Sequence, residues 1–249
     1  MIPTPIRQVL LIFQTNGVQA LLMGGQACVF YGAAQVSKDV DFVLLAEPGN
    51  YARLQTALTA LAAARIAVPR FDPVLLARGH AVHFRCAAPG VEGLRVDVMT
   101  RLRDLADFAT LWERRTAFAD DAGAEYHLLS VPDLVQAKKT QRSRDWPVIE
   151  LLLTIHYREN GASPRADRID FWLREARSPE LLIELTERFP DETRTLTSVR
   201  PLLTHALAGD LEALRPALDA EVRAEQAKDR AYWAPLRREL EVLRHEREP

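Results

Sequence analysis

Apolar and polar residues alternate over the first 130 positions in the short runs that are typical of strands, with amphipathic helices between them. Apolar residues at helical spacing predict a first helix over residues 6–16. A short apolar run ending at Met23 and a second run over 39–45 predict two buried strands. Two further runs, 80–86 and 94–99, are separated by a Pro- and Gly-containing turn, which predicts a hairpin. The pattern predicts an α+β domain.

The pattern changes after Val131, where apolar residues recur almost wholly at helical spacing. A long charged helix is predicted from about residue 210, interrupted at Pro235 because proline lacks the backbone N–H that a helix interior uses. We therefore predict two domains, an α/β domain over 1–147 and a helical domain over 148–249.

Composition excludes several classes of protein. The chain has 249 residues, 48% of them hydrophobic, and a formal net charge of −2. That is enough apolar content for substantial cores. The chain has no global basic excess of the kind typical of nucleic-acid binding, although local patches could still bind nucleic acid. No apolar run approaches the ~20 residues of a membrane span, and the start of the chain lacks the features of a signal peptide. Cys28 and Cys86 lie in apolar runs, without metal-ligand spacing. We expect a cytoplasmic protein with reduced thiols.

Three acids stand in strand-like apolar runs. Asp39 and Asp41 are two apart in a predicted strand, so their side chains point to the same face, about 7 Å apart at Cα. Asp97 lies between two valines in the second strand of the predicted hairpin. Acids in apolar surroundings are costly unless a positive charge lies between them, and Mg²⁺ or Mn²⁺ prefers carboxylate ligands. If the two strands are neighbours, the three acids form one metal site.

Two glycines precede the acid pair. Gly24 and Gly25 end the first apolar run, and a helix over about 26–34 is predicted to follow. Glycines allow a close approach of a ligand, and the free N–H groups of a helix start favour phosphate. Gln26 and Ser37 are candidates for contact with the same nucleotide, or for simple helix capping.

Taken together, these residues resemble the polymerase-β-like nucleotidyltransferase superfamily. The order is an apolar residue and Gly24-Gly25, then thirteen residues, then Asp39-Val40-Asp41-Phe42, then Val96-Asp97-Val98. The resemblance covers roughly residues 5–150 and is greatest to the bacterial abortive-infection and toxin-type branch. That branch often carries an Asp-Leu-x-x-x-Lys helix and then a basic-Asp pair, which here are Asp133 to Lys138 and Arg144-Asp145. Many members have Arg-x-Thr before the acid pair, whereas this chain has Gln35-Val36-Ser37-Lys38.

The resemblance implies a nucleotidyltransferase-type mixed β-sheet flanked by helices and a Mg²⁺-dependent transfer of NMP from an NTP to a hydroxyl. Asp39, Asp41 and Asp97 are then metal ligands and catalytic residues. Gly24, Gly25, Gln26 and Ser37 are then nucleotide-binding, as is Lys138, whose charge would offset that of a triphosphate. The acceptor is left open among RNA or tRNA, a protein and a small molecule, and an antitoxin partner is implied for a toxin.

Two alternatives remain open at this point. The missing Arg-x-Thr favours a catalytically inactive nucleotide-binding or regulatory module. The helical second half also allows a helical interaction protein with the first domain as scaffold. His80 and His83 are three apart on a predicted strand and face opposite ways, so they make a poor metal pair and are interpreted as structural.

Overall fold

The computed structural model describes residues 4–120 and 123–245. Strands and helices both occur up to residue 138, and helices alone make up the rest of the described chain. The strands are β1 (Ala20–Met23), β2 (Asp39–Leu44), β3 (Ala64–Arg65), β4 (Val82–Arg85), β5 (Arg95–Met99), β6 (Thr116–Ala119) and β7 (Glu125–Leu128). The helices among and directly after them are α1 (Thr4–Thr15), α2 (Gly24–Phe30), α3 (Pro48–Ala60), α4 (Pro73–Arg78), α5 (Phe108–Glu113) and α6 (Val131–Lys138).

The later part of the described chain is helical, as the sequence predicts. After a 3-10 turn at Ser143–Asp145 it contains α7 (Trp146–Asn160), α8 (Ala166–Glu175), α9 (Pro179–Arg188), α10 (Pro190–Leu196), α11 (Leu203–Leu207) and α12 (Leu211–His245). None of the helices in the described residues combines the length and the apolar composition that a membrane span requires.

By compactness the chain divides into two units. The first comprises residues up to Ala137 together with the chain from Tyr232 onwards, and the second runs from Lys138 to Ala231. The predicted bounds of 1–147 and 148–249 divide the chain once, so they do not assign the chain from Tyr232 onwards to the first unit. As bounds of two independently folding domains they stay a prediction.

The first unit is built on one mixed sheet. Within the described residues its seven strands lie in the order β3-β4-β5-β2-β1-β7-β6. The central pair, β2 and β5, is parallel, and β4 pairs antiparallel with β5. The predicted α+β class and the predicted hairpin are thus confirmed.

The two faces of β2 have different surroundings. Phe42 stacks on Phe13 of α1 with ring centroids 4.4 Å apart, so this face of the strand is closed by a helix. Because side chains alternate along a strand, Asp39 and Asp41 point to the opposite face. Both acids are half-buried there, whereas Val40 and Phe42 are buried. The helix α1 therefore fixes which face of the sheet carries the acids.

The return of the chain to the first unit is held by a buried histidine. His80, 1% exposed, lies before β4, and its Nε2 is 2.8 Å from Oε2 of Glu239 on α12. Arg78 also pairs with Glu239. Because an unpaired buried imidazole is costly, this contact stabilises the last part of α12 in the first unit.

The predicted interruption at Pro235 is wrong, since α12 is continuous from Leu211 to His245. Proline costs a helix interior about 3 kcal/mol. Contacts on both sides of it favour continuity. Asp229 accepts a hydrogen bond of 2.8 Å from the backbone N–H of Gln141, and Glu239 pairs with His80. Tertiary contacts therefore outweigh the local preference.

The second unit contains a charge network of low exposure. Arg200 has a side chain 6% exposed and pairs with Glu221 at 2.8 Å; it also donates to the carbonyl oxygens of Leu173 and Ala176. Arg177, whose side chain is 9% exposed, pairs with Glu221 at 2.7 Å. Burial lowers the pKa of Arg177, and the nearby charge of Arg200 lowers it further. Glu221 thus pairs with two guanidinium groups of low exposure, and Glu175 supplies a second carboxylate to Arg177.

Candidate metal centre

The register of three strands places polar side chains in two rows on one face of the sheet. In the first row His83 of β4, Asp97 of β5 and Asp41 of β2 are direct neighbours, because His83 pairs with Asp97 and Asp97 pairs with Asp41. In the second row Arg85 of β4 is opposite Arg95 of β5, and Arg95 is opposite Asp39 of β2. Directly paired residues share a face, so the rows bring five charged side chains and one imidazole together.

The three acids predicted to gather do lie together. Asp39, Asp41 and Asp97 each offer one carboxylate oxygen, and these oxygens lie within 4.8 Å of one another. Two unit charges at that separation repel by about 3 kcal/mol at an effective dielectric constant of ~20. Asp97 is the most deeply buried of the three, at 5% exposure. Such a cluster requires positive charge close by.

Arg95 supplies one positive charge to the cluster. Its guanidinium Nη2 lies 2.5 Å from Oδ2 of Asp97 and 3.4 Å from Oδ2 of Asp39. The hydrogen bond to Asp97, together with the charges of Asp97, Asp39 and Asp41, raises the pKa of Arg95. Three carboxylates and one guanidinium leave two negative charges uncompensated among these four side chains. One divalent cation would balance them.

The residues fit a divalent cation in two respects. Ligand oxygens around Mg²⁺ at about 2.1 Å lie about 3–4 Å apart, so the 4.8 Å span needs only small side-chain rotations. The second respect is the orphaned Oδ1 of Asp97, which is buried and accepts no hydrogen bond from the described residues. A buried carboxylate oxygen that accepts no hydrogen bond is costly, and either a cation or a better aligned neighbouring donor would offset that cost.

The nearest imidazole to that oxygen is His83, a residue that the sequence interpretation had set aside as structural. Its Nδ1 lies 2.8 Å from Oδ1 of Asp97, in ion-pair range but not aligned as a hydrogen bond, and both atoms are buried. Metal-binding carboxylates are commonly held by a neighbouring donor. A small turn of the ring would let His83 orient Asp97. His80, in contrast, is occupied by Glu239.

Gly24 lies directly against the acid strand. It is the first residue of α2, has φ +68°, and a Cβ added there would lie 1.9 Å from Oδ2 of Asp41. Only a hydrogen atom fits at this point, so glycine is required both for the backbone conformation and for the approach to Asp41. The predicted start of this helix at Gln26 is two residues too late, because both glycines belong to its first turn.

Gly25 and Ser37 form the second contact between the glycine turn and the acid strand. A Cβ on Gly25 would lie 2.6 Å from Oγ of Ser37. The Ser37 hydroxyl lies 3.0 Å from Oδ1 of Asp39 and 3.1 Å from its carbonyl oxygen, so it donates towards Asp39. Ser37 therefore orients one of the three acids, and its predicted contact with a nucleotide stays a prediction.

The other two predicted nucleotide-binding residues have quite different surroundings. Gln26 is 1% exposed, and neither atom of its amide makes a hydrogen bond to the described residues. Lys138 belongs to the second unit, where its Nζ lies 3.4 Å from Oδ1 of Asp145. Asp145 also accepts hydrogen bonds from the Thr140 hydroxyl and from Nε of Arg142, so this carboxylate orients the basic side chains around it. The nucleotide roles of Gln26 and Lys138 stay predictions.

Gly24→Ala tests the close approach of the glycine turn to the acid strand. We expect it to lower stability and to remove Mn²⁺ binding, because the added methyl group must displace the Asp41 carboxylate. Gly93→Ala is the matched control: it has φ +77° but nothing within 4 Å of the added Cβ. Holding an alanine in the left-handed backbone conformation costs about 1 kcal/mol of stability in either variant. Urea unfolding and Mn²⁺ titration measure both effects, and equal losses in the two variants would refute the close-approach argument.

Fold and site together define a class: an α+β protein whose mixed sheet carries an acidic triad on one face, beside a glycine turn. The chain matches no protein-family model, and no curated protein is significantly similar to it. The class therefore rests on the described geometry alone.

Proposed function

We propose that the protein is a metal-dependent nucleotidyltransferase that moves an NMP from an NTP to a hydroxyl acceptor. The observation that carries this proposal is the meeting of Asp39, Asp41 and Asp97 on one sheet face, directly against Gly24. Carboxylates from two adjacent strands are suited to Mg²⁺ or Mn²⁺, and the glycines let the start of α2 approach the acid strand directly. The proposal includes that the mixed sheet is of the nucleotidyltransferase type.

The residues divide the work by position. Asp39 and Asp41 would hold the cations that offset the charge of the triphosphate and favour deprotonation of the acceptor hydroxyl. Asp97 would be the third ligand, on the side of the cation that faces the acceptor hydroxyl, and His83 lies beside its Oδ1. The acceptor oxygen forms a bond to the α-phosphorus, the bond to the bridging oxygen breaks, and pyrophosphate leaves. The hydroxyl proton passes to a carboxylate or to solvent.

The experiment is a transfer assay on the full chain. Purified protein is incubated with each labelled NTP, Mg²⁺ or Mn²⁺, and RNA, tRNA or protein acceptors, and the labelled product is identified. The double variant Asp39→Ala/Asp41→Ala removes two of the three ligands, so we expect no transfer above background. Transfer by the double variant at the wild-type rate would overturn the catalytic assignment.

A second function, a catalytically inactive nucleotide-binding module, is favoured by Arg95. A guanidinium that already bridges Asp39 and Asp97 supplies part of the charge that a metal would otherwise supply. The chain also has Gln35-Val36-Ser37 where relatives implied by the resemblance carry Arg-x-Thr. Calorimetry separates the two functions. Nucleotide binding that is independent of Mg²⁺, with no transfer to any acceptor, would favour the module.

A further inference from the structure

Arg95 occupies an unusual position for a residue of a metal site. It stands two residues before Asp97 on the same strand and opposite Asp39 on the next, so its side chain lies on the face that carries the acids. One terminal nitrogen, Nη2, contacts both Asp97 and Asp39. This is the arrangement of a counter-ion placed between two carboxylates of the triad.

The same arginine is not fully committed to the acids. Its side chain is 42% exposed, and its Nε is buried without a hydrogen bond to the described residues. A guanidinium has five N–H donors in a fork that matches phosphate as well as carboxylate. Arg95 therefore has both the freedom and the donors to change partners without leaving the site.

We propose that Arg95 exchanges these carboxylates for the phosphates of the nucleotide when a divalent cation enters the triad. The inference rests on the proposed function. Without nucleotide the guanidinium competes with the cation for Asp39 and Asp97, so the cation binds weakly. With nucleotide, the arginine gains phosphate oxygens as partners and the acids are released to the cation. Cation and nucleotide thus bind cooperatively, and the ligand class of Arg95 is a polyphosphate.

The coupling has a measurable size and sign. Coupling between two binding sites is typically about 5- to 150-fold, and it is reciprocal. We therefore expect a non-transferable nucleotide to tighten Mn²⁺ binding by about tenfold in the wild type. Removal of the guanidinium should have the opposite effect to the removal of an acid, because the competitor of the cation is lost.

The test is a calorimetric titration of Mn²⁺ into the full chain, with and without the α,β-methylene analogues of ATP, GTP, CTP and UTP. Arg95→Gln is expected to bind Mn²⁺ about tenfold more tightly than the wild type without nucleotide, and to gain little from the analogues. Arg85→Gln is the matched control. It removes the same charge from the directly paired position on β4, is exposed, and makes no ion pair within the described residues. We expect it to change Mn²⁺ affinity less than twofold.

A second variant covers the case in which Arg95→Gln does not fold. Arg95→Lys keeps the charge but loses the guanidinium fork that contacts two carboxylates. Its Mn²⁺ affinity is therefore expected to lie between that of the wild type and that of Arg95→Gln. Mn²⁺ affinity that is unchanged in whichever variants fold would overturn the inference about Arg95 while leaving the metal site intact. If neither the wild type nor any Arg95 variant binds Mn²⁺, with or without analogue, the proposed function fails as well, and the two failures are distinguished.

Discussion

Asp97→Asn is expected to reduce NMP transfer by about a thousandfold. The amide has the size of the carboxylate but neither its charge nor its affinity for a hard cation. Loss of one ligand that stabilises charge in the transition state is worth several kcal/mol, and each factor of ten corresponds to about 1.4 kcal/mol. Because Asp97 is only 5% exposed, we expect that solvent does not replace the lost carboxylate ligand. The measurement is the initial rate of label transfer at saturating NTP.

The control for this variant is Asp107→Asn. Asp107 caps the N-terminus of α5 by accepting a hydrogen bond from the backbone N–H of Thr110, and asparagine caps a helix about as well. It removes the same charge from the same unit without touching the triad, so we expect transfer at the wild-type rate. A modest loss shared by both variants would show that Asp97 acts only through overall charge or stability.

Glu221→Ala is expected to lower the stability of the helical unit by about 3 kcal/mol. Removing one partner of a buried pair leaves an uncompensated charge, which costs about 3–5 kcal/mol, and the 29% exposure of the Glu221 side chain places this case at the lower end. Arg177 retains Glu175 at 3.4 Å, and Arg200 retains its backbone carbonyls, so the unit should still fold. Urea unfolding followed by circular dichroism measures the change.

Glu180→Ala provides the comparison in the same unit. Glu180 pairs with Arg215, and both side chains are more than half exposed. Exposed ion pairs contribute less than about 1 kcal/mol, so this variant should unfold close to the wild type. Similar losses from Glu180→Ala and Glu221→Ala would mean that burial does not set the value of these charges.

The strand that carries the first two acids could be predicted from alternation alone. Val40 and Phe42 are apolar, Asp39 and Asp41 are not, and a period of two leaves one interpretation for such a pattern. That Asp97 joins them depends on β2 and β5 being neighbours, which the sequence offered only as a condition. Strand order is set by long-range pairing, and no local pattern encodes it. The structure supplies that step.

His83 was missed because it was compared with His80 rather than across the hairpin. A signal was present: residues equally distant from the centre of an antiparallel turn face each other, and His83 and Asp97 are both seven residues from Gly90. The contact of Arg95 with Asp39 had no such signal. It requires the parallel register of β2 with β5, which is fixed by the packing of the whole sheet.

The strand β6 shows a second limit of local patterns. Thr116–Ala119 form the strand β6, although no apolar run in this stretch predicts a strand. Three of the four residues of β6 are exposed, so no alternation marks it. Pairing with β7 decides the conformation, since backbone hydrogen bonds to a neighbour outweigh the weak preference of an exposed stretch.

The pairing of His80 with Glu239 has a consequence for shortened versions of the chain. In the order of the gene, the helical unit is an insertion between two pieces of the sheet-bearing unit. A stop codon placed before residue 239 would strip a buried imidazole of its carboxylate while leaving most of the inserted helices encoded. A deletion series that works inwards from the C-terminus therefore damages the fold that carries the acids before it reaches the helices in between.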